Sequence, residues 1–166
     1  MLDQTALNKI SYGLYVLTSA KEGKINGMIV NSVIQVTAEP AKILASVNKA
    51  SLTHEYIMAS KVMAIMPVTE HADMLFIGNF GFRTGRNFDK FAKYKYELGI
   101  TGAPIVLDNT NAAFEVKVSQ TVDVGTHTLF IGEIAEAKNI CPDACMTYQY
   151  YHEQLKGKVP KGGTHG

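Results

Sequence analysis

Apolar residues recur along this chain in two rhythms, and the two-residue rhythm of strands prevails. Leu2, Ala6, Leu7 and Ile10 fall near 3.6-residue spacing behind Asp3, which predicts a short amphipathic helix over 2–12 with Asp3 as its cap. The β-branched and aromatic run 14–18, the turn Lys21-Glu22-Gly23-Lys24 and the Val- and Ile-rich run 27–37 read as a hairpin. Residues 42–47, after Pro40, form the next strand. Ser51 and Thr53 then stand at N-cap positions before a short helix over 54–60, and 62–68 returns to an apolar strand.

Residues 70–99 are the least regular, with a helix over 72–77, a glycine-punctuated loop over 78–85 and a charged, Phe-containing turn through Lys95. A short strand follows at 105–107. Residues 113–118 alternate Phe114, Val116 and Val118 with Glu115 and Lys117, as a half-buried strand does, and 126–137 is the last strand. The segment 146–155 reads as a closing helix, and 156–166 has no periodic signal, so it reads as a tail or arm. About six strands separated mostly by turns, with helices inserted rather than alternating, favour a closed or nearly closed antiparallel barrel over a doubly wound sheet.

Composition narrows the function classes. The chain has 166 residues, 46% of them hydrophobic and 19% charged, which fits one ordered globular domain and excludes disorder. Sixteen Lys and Arg against fifteen Asp and Glu leave no cationic surplus to displace counterions from phosphates, so a general nucleic-acid binder is not expected. No run approaches the roughly 18 apolar residues of a membrane span, and the first residues lack a basic and then apolar leader, so a cytoplasmic protein is expected. Cys141-Pro-Asp-Ala-Cys145 is neither a redox Cys-x-x-Cys nor a four-ligand zinc set. Two reduced, structurally incidental thiols are the expectation, with a regulatory disulfide or metal site as the alternative.

Gly78, Gly81 and Gly85 match neither the dinucleotide nor the P-loop spacing, and hydrolase elbows and His-Glu-x-x-His are absent. Three other segments carry candidate chemistry. Asn31 and Ser32 interrupt an apolar run, either as polar groups facing a ligand edge or as an outward pair at a bulge. Lys49, Ser51 and Thr53 surround a helix start, where free N–H groups, hydroxyls and an ammonium make a phosphate cradle, although simple capping also explains Ser51 or Thr53. In Phe80-Gly-Phe-Arg-Thr-Gly-Arg-Asn-Phe-Asp-Lys, Arg83, Thr84, Arg86 and Lys90 set donors beside aromatic faces, as an anion site or as solvated loop charges.

Together, Asn26-Gly-Met-x-Val-Asn-Ser, Ser46-Val-Asn-Lys-x-Ser-x-Thr-His, Phe80-Gly-Phe-Arg-Thr-Gly-Arg and Gly125-Thr-His-Thr-Leu-Phe-Ile-Gly-Glu resemble the flavin reductase-like family with the FMN-binding split-barrel fold. The likeness runs in unbroken order from about Leu7 to Pro160 and extends to the flavin domain of high-molecular-weight rubredoxins and to flavoredoxins. Three departures stand out. No Cys-x-x-Cys follows Pro160, Thr126 stands where the family usually has Asp before His, and Thr84 stands where Ser is common.

The resemblance implies a split-barrel domain over 1–160 with a flexible tail over 161–166, working as a homodimer. It implies FMN as cofactor, NADH or NADPH as electron donor, and a separate redox protein or free flavin as acceptor. Met28, Ile29, Val30, Asn31 and Ser32 are implied to face the flavin ring. Ser46, Val47, Asn48, Lys49, Ser51 and Thr53 are implied to hold the ribityl chain and phosphate, with Phe80, Arg83, Thr84, Gly85 and Lys90 completing the site. His127 is implied to act on the nicotinamide side, the alternative being a satisfied structural histidine. The flavin itself performs hydride transfer, so no catalytic side chain is expected. An FMN-binding storage, sensor or carrier protein without efficient NAD(P)H oxidation is the alternative function.

Overall fold

The computed structural model describes residues 1–164. Seven strands form one antiparallel sheet in the order β2-β1-β5-β8-β9-β4-β3. These are β1 (Tyr15–Lys21), β2 (Lys24–Val30), β3 (Val33–Ala38), β4 (Ala41–Asn48), β5 (Val62–Pro67), β8 (Ala112–Asp123) and β9 (His127–Asn139). A separate two-stranded ribbon pairs β6 (Tyr96–Leu98) with β7 (Pro104–Val106). The helices are α1 (Leu52–Ser60), α2 (Met74–Gly81) and α3 (Tyr148–Gln154). None of the described helices is long and apolar enough to cross a membrane.

The split in the barrel follows from one short link. β2 and β3 lie at opposite edges of the sheet, yet only Asn31 and Ser32 separate them in sequence. Three virtual bonds span at most roughly 11 Å, so the sheet must curl until its edges nearly meet. The Ser46 N–H donates to the Ser32 carbonyl at 3.0 Å, which carries the β3–β4 ladder one residue into this link. Residues 27–37 are therefore two strands broken at Asn31-Ser32, not the single strand expected.

Leu17, Val30, Val47, Met63, Val116 and Phe130 converge from six strands of the curled sheet and fill its inside, joined by Ile57 of α1. Val16 beside Leu17, Ala64 beside Met63, and Met66 beside Ile65 face the other way and pack under α2, α3 and the β6–β7 ribbon with Phe76, Phe80 and Tyr151. β1 and β5 are thus buried on both faces, which is why they read as continuous apolar runs.

The seven-stranded sheet is the antiparallel barrel of about six strands expected from the sequence, with several single elements revised. Residues 4–9 form a 3-10 helix, with Asp3 accepting from Thr5 N–H at 2.9 Å, and none of its residues is buried. Six residues hold too few hydrogen bonds to repay α-helix nucleation, and no surface covers their apolar side. α2 continues through Gly78 to Gly81, capped by Asp73, whose carboxylate accepts from Phe76 N–H at 2.9 Å, so the expected loop begins later. Glu115, expected on a solvated face, is buried because its carboxylate accepts from Ile100 N–H, Thr101 N–H and the Thr101 hydroxyl.

Candidate functional site

A cleft of about 270 Å³ opens where the barrel is split, between β2, the end of β4, the start of α1, α2 with the loop after it, and α3. Its size is near the lower end for small-molecule sites, roughly 300–1000 Å³. Fourteen of the residues singled out from sequence line it: Met28, Ile29, Val30, Asn31, Ser46, Asn48, Ser51, Thr53, Phe80, Arg83, Thr84, Gly85, Lys90 and His127.

Ser32, Val47 and Lys49 do not line it. Strand alternation accounts for two of these: Ser46 and Asn48 face the cleft, so Val47 points into the barrel core and Lys49 turns away from it. The Lys49 ammonium pairs instead with Asp123 at 2.5 Å, and this contact holds the Asp123 carboxyl below its usual range. The Ser32 hydroxyl donates to Asn31 Oδ1 at 2.9 Å, so it orients a lining side chain without lining the cleft itself.

At one end, α1 begins with Ser51 as its N-cap, the hydroxyl accepting from His54 N–H at 3.1 Å. The first amides of a helix have no intrahelical acceptor, and Leu52 and Thr53, the first two residues of α1, line the cleft. Buried Asn26 donates from Nδ2 to Thr53 Oγ1 at 2.9 Å, tying this helix start to β2. Gly85 sits against the same Asn26, and a Cβ there would stand 2.0 Å from Asn26 Oδ1. The Asn26 side chain therefore joins the three segments around this corner.

The loop after α2 brings Arg83 and Thr84 to this end. The Arg83 guanidinium lies 4.3 Å from the Phe88 ring centroid and pairs with no carboxylate among the described residues, whereas Arg86 is taken up by Glu55 outside the cleft. Lys90 lines the wall, but its buried ammonium donates to the carbonyls of Gly27 at 2.8 Å and Phe80 at 2.9 Å. It locks α2 to β2, and burial lowers its pKa to about 8. Among the described residues no Asp or Glu lines the cleft, while Arg83, Lys90 and Lys158 do, so the site favours an anion.

The other end is aromatic and apolar. Met28, Ile29 and Val30 line the cleft with Phe82, Tyr148 and Tyr151, and burial pushes the Tyr148 phenol up to about 12. His127 opens β9 at the rim, with Nδ1 2.8 Å from the Thr126 hydroxyl, and burial lowers its pKa, so the ring is neutral at pH 7.

A family profile described as flavin reductase like domain matches residues 7–157. The chain belongs to the flavin reductase-like family. It is 41% identical over 160 residues to the high molecular weight rubredoxin of Moorella thermoacetica, covering 96% of this chain and 70% of that one. It is 40% identical to the ferric-chelate reductase (NAD(P)H) of Archaeoglobus fulgidus, covering 98% and 96%. The fold is shared with the NADH:FAD oxidoreductase of Streptomyces globisporus C-1027, at a TM-score of 0.79 and 22% identity over 89% of this chain and 90% of that one.

Sequence reasoning missed Asn26 as a lining residue, and with it Leu52, Phe82, Tyr148, Tyr151 and the arm residues Lys158, Lys161 and Thr164. Tyr148 and Tyr151 stand three apart on one helix face, a spacing that marks a shared surface. Nothing in residues 158–164 signals where they fold. Among the described residues no cluster of three or more His, Cys, Asp or Glu could hold a metal ion, and Cys141 and Cys145 are both free thiols.

Proposed function

We propose that this protein binds FMN in the split of its barrel and passes electrons from NADH or NADPH through it to a separate acceptor. The observation that carries the reading is the cleft's polarity: a carboxylate-free end with Arg83, Thr84, Ser51 and the α1 N-terminus, and an apolar, aromatic end beside Asn31. A phosphate suits the first end, because a guanidinium and orphan helix amides donate to it without a competing acid. A planar ring suits the second.

The residues present fit the flavin. Gly85 lets the loop that carries Arg83 and Thr84 pack directly on Asn26, where a Cβ would stand 2.0 Å from Oδ1, and Asn48 and Ser46 give the cleft the polar groups a ribityl chain needs. FMN is proposed over FAD because one phosphate end is built and no dinucleotide fingerprint occurs in the sequence. When bound, the flavin supplies hydride acceptance and onward electron delivery. The chain's own task is to orient the ring against Met28 to Asn31, hold the phosphate and align the reduced nicotinamide at the rim, where His127 stands.

The reading includes a homodimer. β3 is an edge strand that leaves Ile34 and Val36 exposed, and a second chain covering them would remove an aggregation-prone edge. A free flavin or a separate redox protein is the proposed acceptor. Heat release of the flavin from purified protein, followed by chromatography, tests the cofactor: FMN is expected, and predominantly FAD contradicts the proposal.

A further inference from the structure

Residues 158–164 leave α3 and run back over the cleft. The Tyr151 hydroxyl donates to the Lys158 carbonyl at 2.7 Å and pins the start of this arm. Asn48 Nδ2 donates to the Gly162 carbonyl at 2.8 Å, and Asn31 Nδ2 donates to the Thr164 carbonyl at 3.0 Å. The Thr164 hydroxyl returns a bond to Asn31 Oδ1 at 2.6 Å. One residue therefore engages both ends of the Asn31 amide.

An amide that shows a donor beside an acceptor is complementary to a group with a carbonyl beside an N–H. The pyrimidine edge of a flavin ring carries that pair, and the carbonyl and hydroxyl of Thr164 copy it. Asn31 Oδ1 has two lone pairs, and Ser32 and Thr164 fill both, so it has no capacity left for a ligand N–H while Thr164 is in place.

We propose that residues 161–164 form an intrasteric strap, which competes with the flavin ring for Asn31 and with the ribityl chain for Asn48 and is displaced when flavin enters. The inference rests on the flavin reading of this cleft. A strap closed about nine-tenths of the time leaves an open fraction of about one tenth and weakens apparent affinity about tenfold.

The test titrates FMN and riboflavin, by quenching of flavin fluorescence, into the full chain, a chain ending at Pro160, and Thr164→Val. Truncation is expected to tighten both ligands about tenfold and equally, since the strap meets the ring and the ribityl chain and not the phosphate, and Thr164→Val to tighten both by a smaller factor. In the full chain, FMN is expected to speed tryptic cleavage after Lys161, a readout that needs no variant to fold. Equal or weaker flavin binding by both variants, or slower cleavage with FMN present, overturns the strap and makes the arm part of the binding wall. Failure of the full and shortened chains alike to take up flavin overturns the flavin reading, and the strap with it.

Discussion

Replacing Arg83 by Ala removes the arginine that lines the cleft among the described residues, and its effect on flavin affinity follows from its surroundings. Arg83 is exposed, has no carboxylate partner, and rests on Phe88 at 4.3 Å. A charge-assisted contact to phosphate is worth about 1.5–3 kcal/mol, and exposure to solvent places this one toward the lower end, about 1.5 kcal/mol or roughly tenfold in Kd. Lost stacking on Phe88 adds about 0.5–1 kcal/mol to the disorder of the loop, and this part falls on any ligand. Arg83→Ala is therefore expected to weaken FMN about thirty- to seventyfold and riboflavin, which has no phosphate, about two- to fivefold, so that the two ligands separate by about tenfold. Phe88→Leu, which keeps the guanidinium, should weaken both slightly and equally. Titration by fluorescence quenching measures all three, and raising salt should narrow the difference between the two ligands in the wild type only. Equal weakening of FMN and riboflavin by Arg83→Ala would refute the assignment of phosphate to this end.

Lys90→Met should leave the Gly27 and Phe80 carbonyls without their buried donor and lower stability by about 2 kcal/mol, read as a drop in Tm. The pKa of Lys90 falls from 10.5 to about 8 on folding, so the unfolded chain binds more protons between those values; this group's contribution to stability should rise from pH 8 toward pH 10, and denaturant titrations of Lys90→Met should lose that part of the slope. Gly85→Ala would place a methyl 2.0 Å from Asn26 Oδ1, displacing the Asn26 to Thr53 bond; a loss of about 1–3 kcal/mol in stability together with weaker FMN binding is expected, and an unchanged Tm would show that the corner can relax. His127→Ala should keep its flavin and Tm while slowing reduction by NAD(P)H but not by dithionite in stopped flow, because its ring bonds only to the neighbouring Thr126 among the described residues; unchanged NAD(P)H kinetics would return it to a structural role.

Much of the site was legible because the family's motifs fall on elements whose ends meet at the split. Asn31-Ser32 was visible as a polar break in an apolar run, but whether that break was a bulge or a crossing between sheet edges depends on which strands pair far apart in sequence. Val47 and Lys49 could have been separated from Ser46 and Asn48 by alternation alone, since a strand cannot turn adjacent side chains to one face. Lys90 shows the limit of composition: its charge suggests an anion site, yet its two bonds go to backbone carbonyls 63 and 10 residues away in sequence. Glu115 misled for a similar reason, because its acceptors' partners lie in the 100–101 turn rather than on its own strand. The arm was the least readable part, as a Gly- and Lys-rich segment without periodicity gives no sign that Asn31 and Asn48 will hold it, and residues 165–166 of the expected tail lie outside the described residues.

The most direct test of the central claim is anaerobic mixing of the FMN-loaded protein with NADH and, separately, NADPH, while following the flavin's yellow absorbance. Bleaching by at least one nucleotide, faster than free FMN bleaches under the same conditions and followed by return of colour on adding free flavin or another electron acceptor, is the predicted result. A yellow protein that neither nucleotide bleaches would contradict the oxidoreductase reading and leave a flavin-storing or flavin-sensing protein. A chain that takes up no flavin at all would contradict the assignment of the cleft itself.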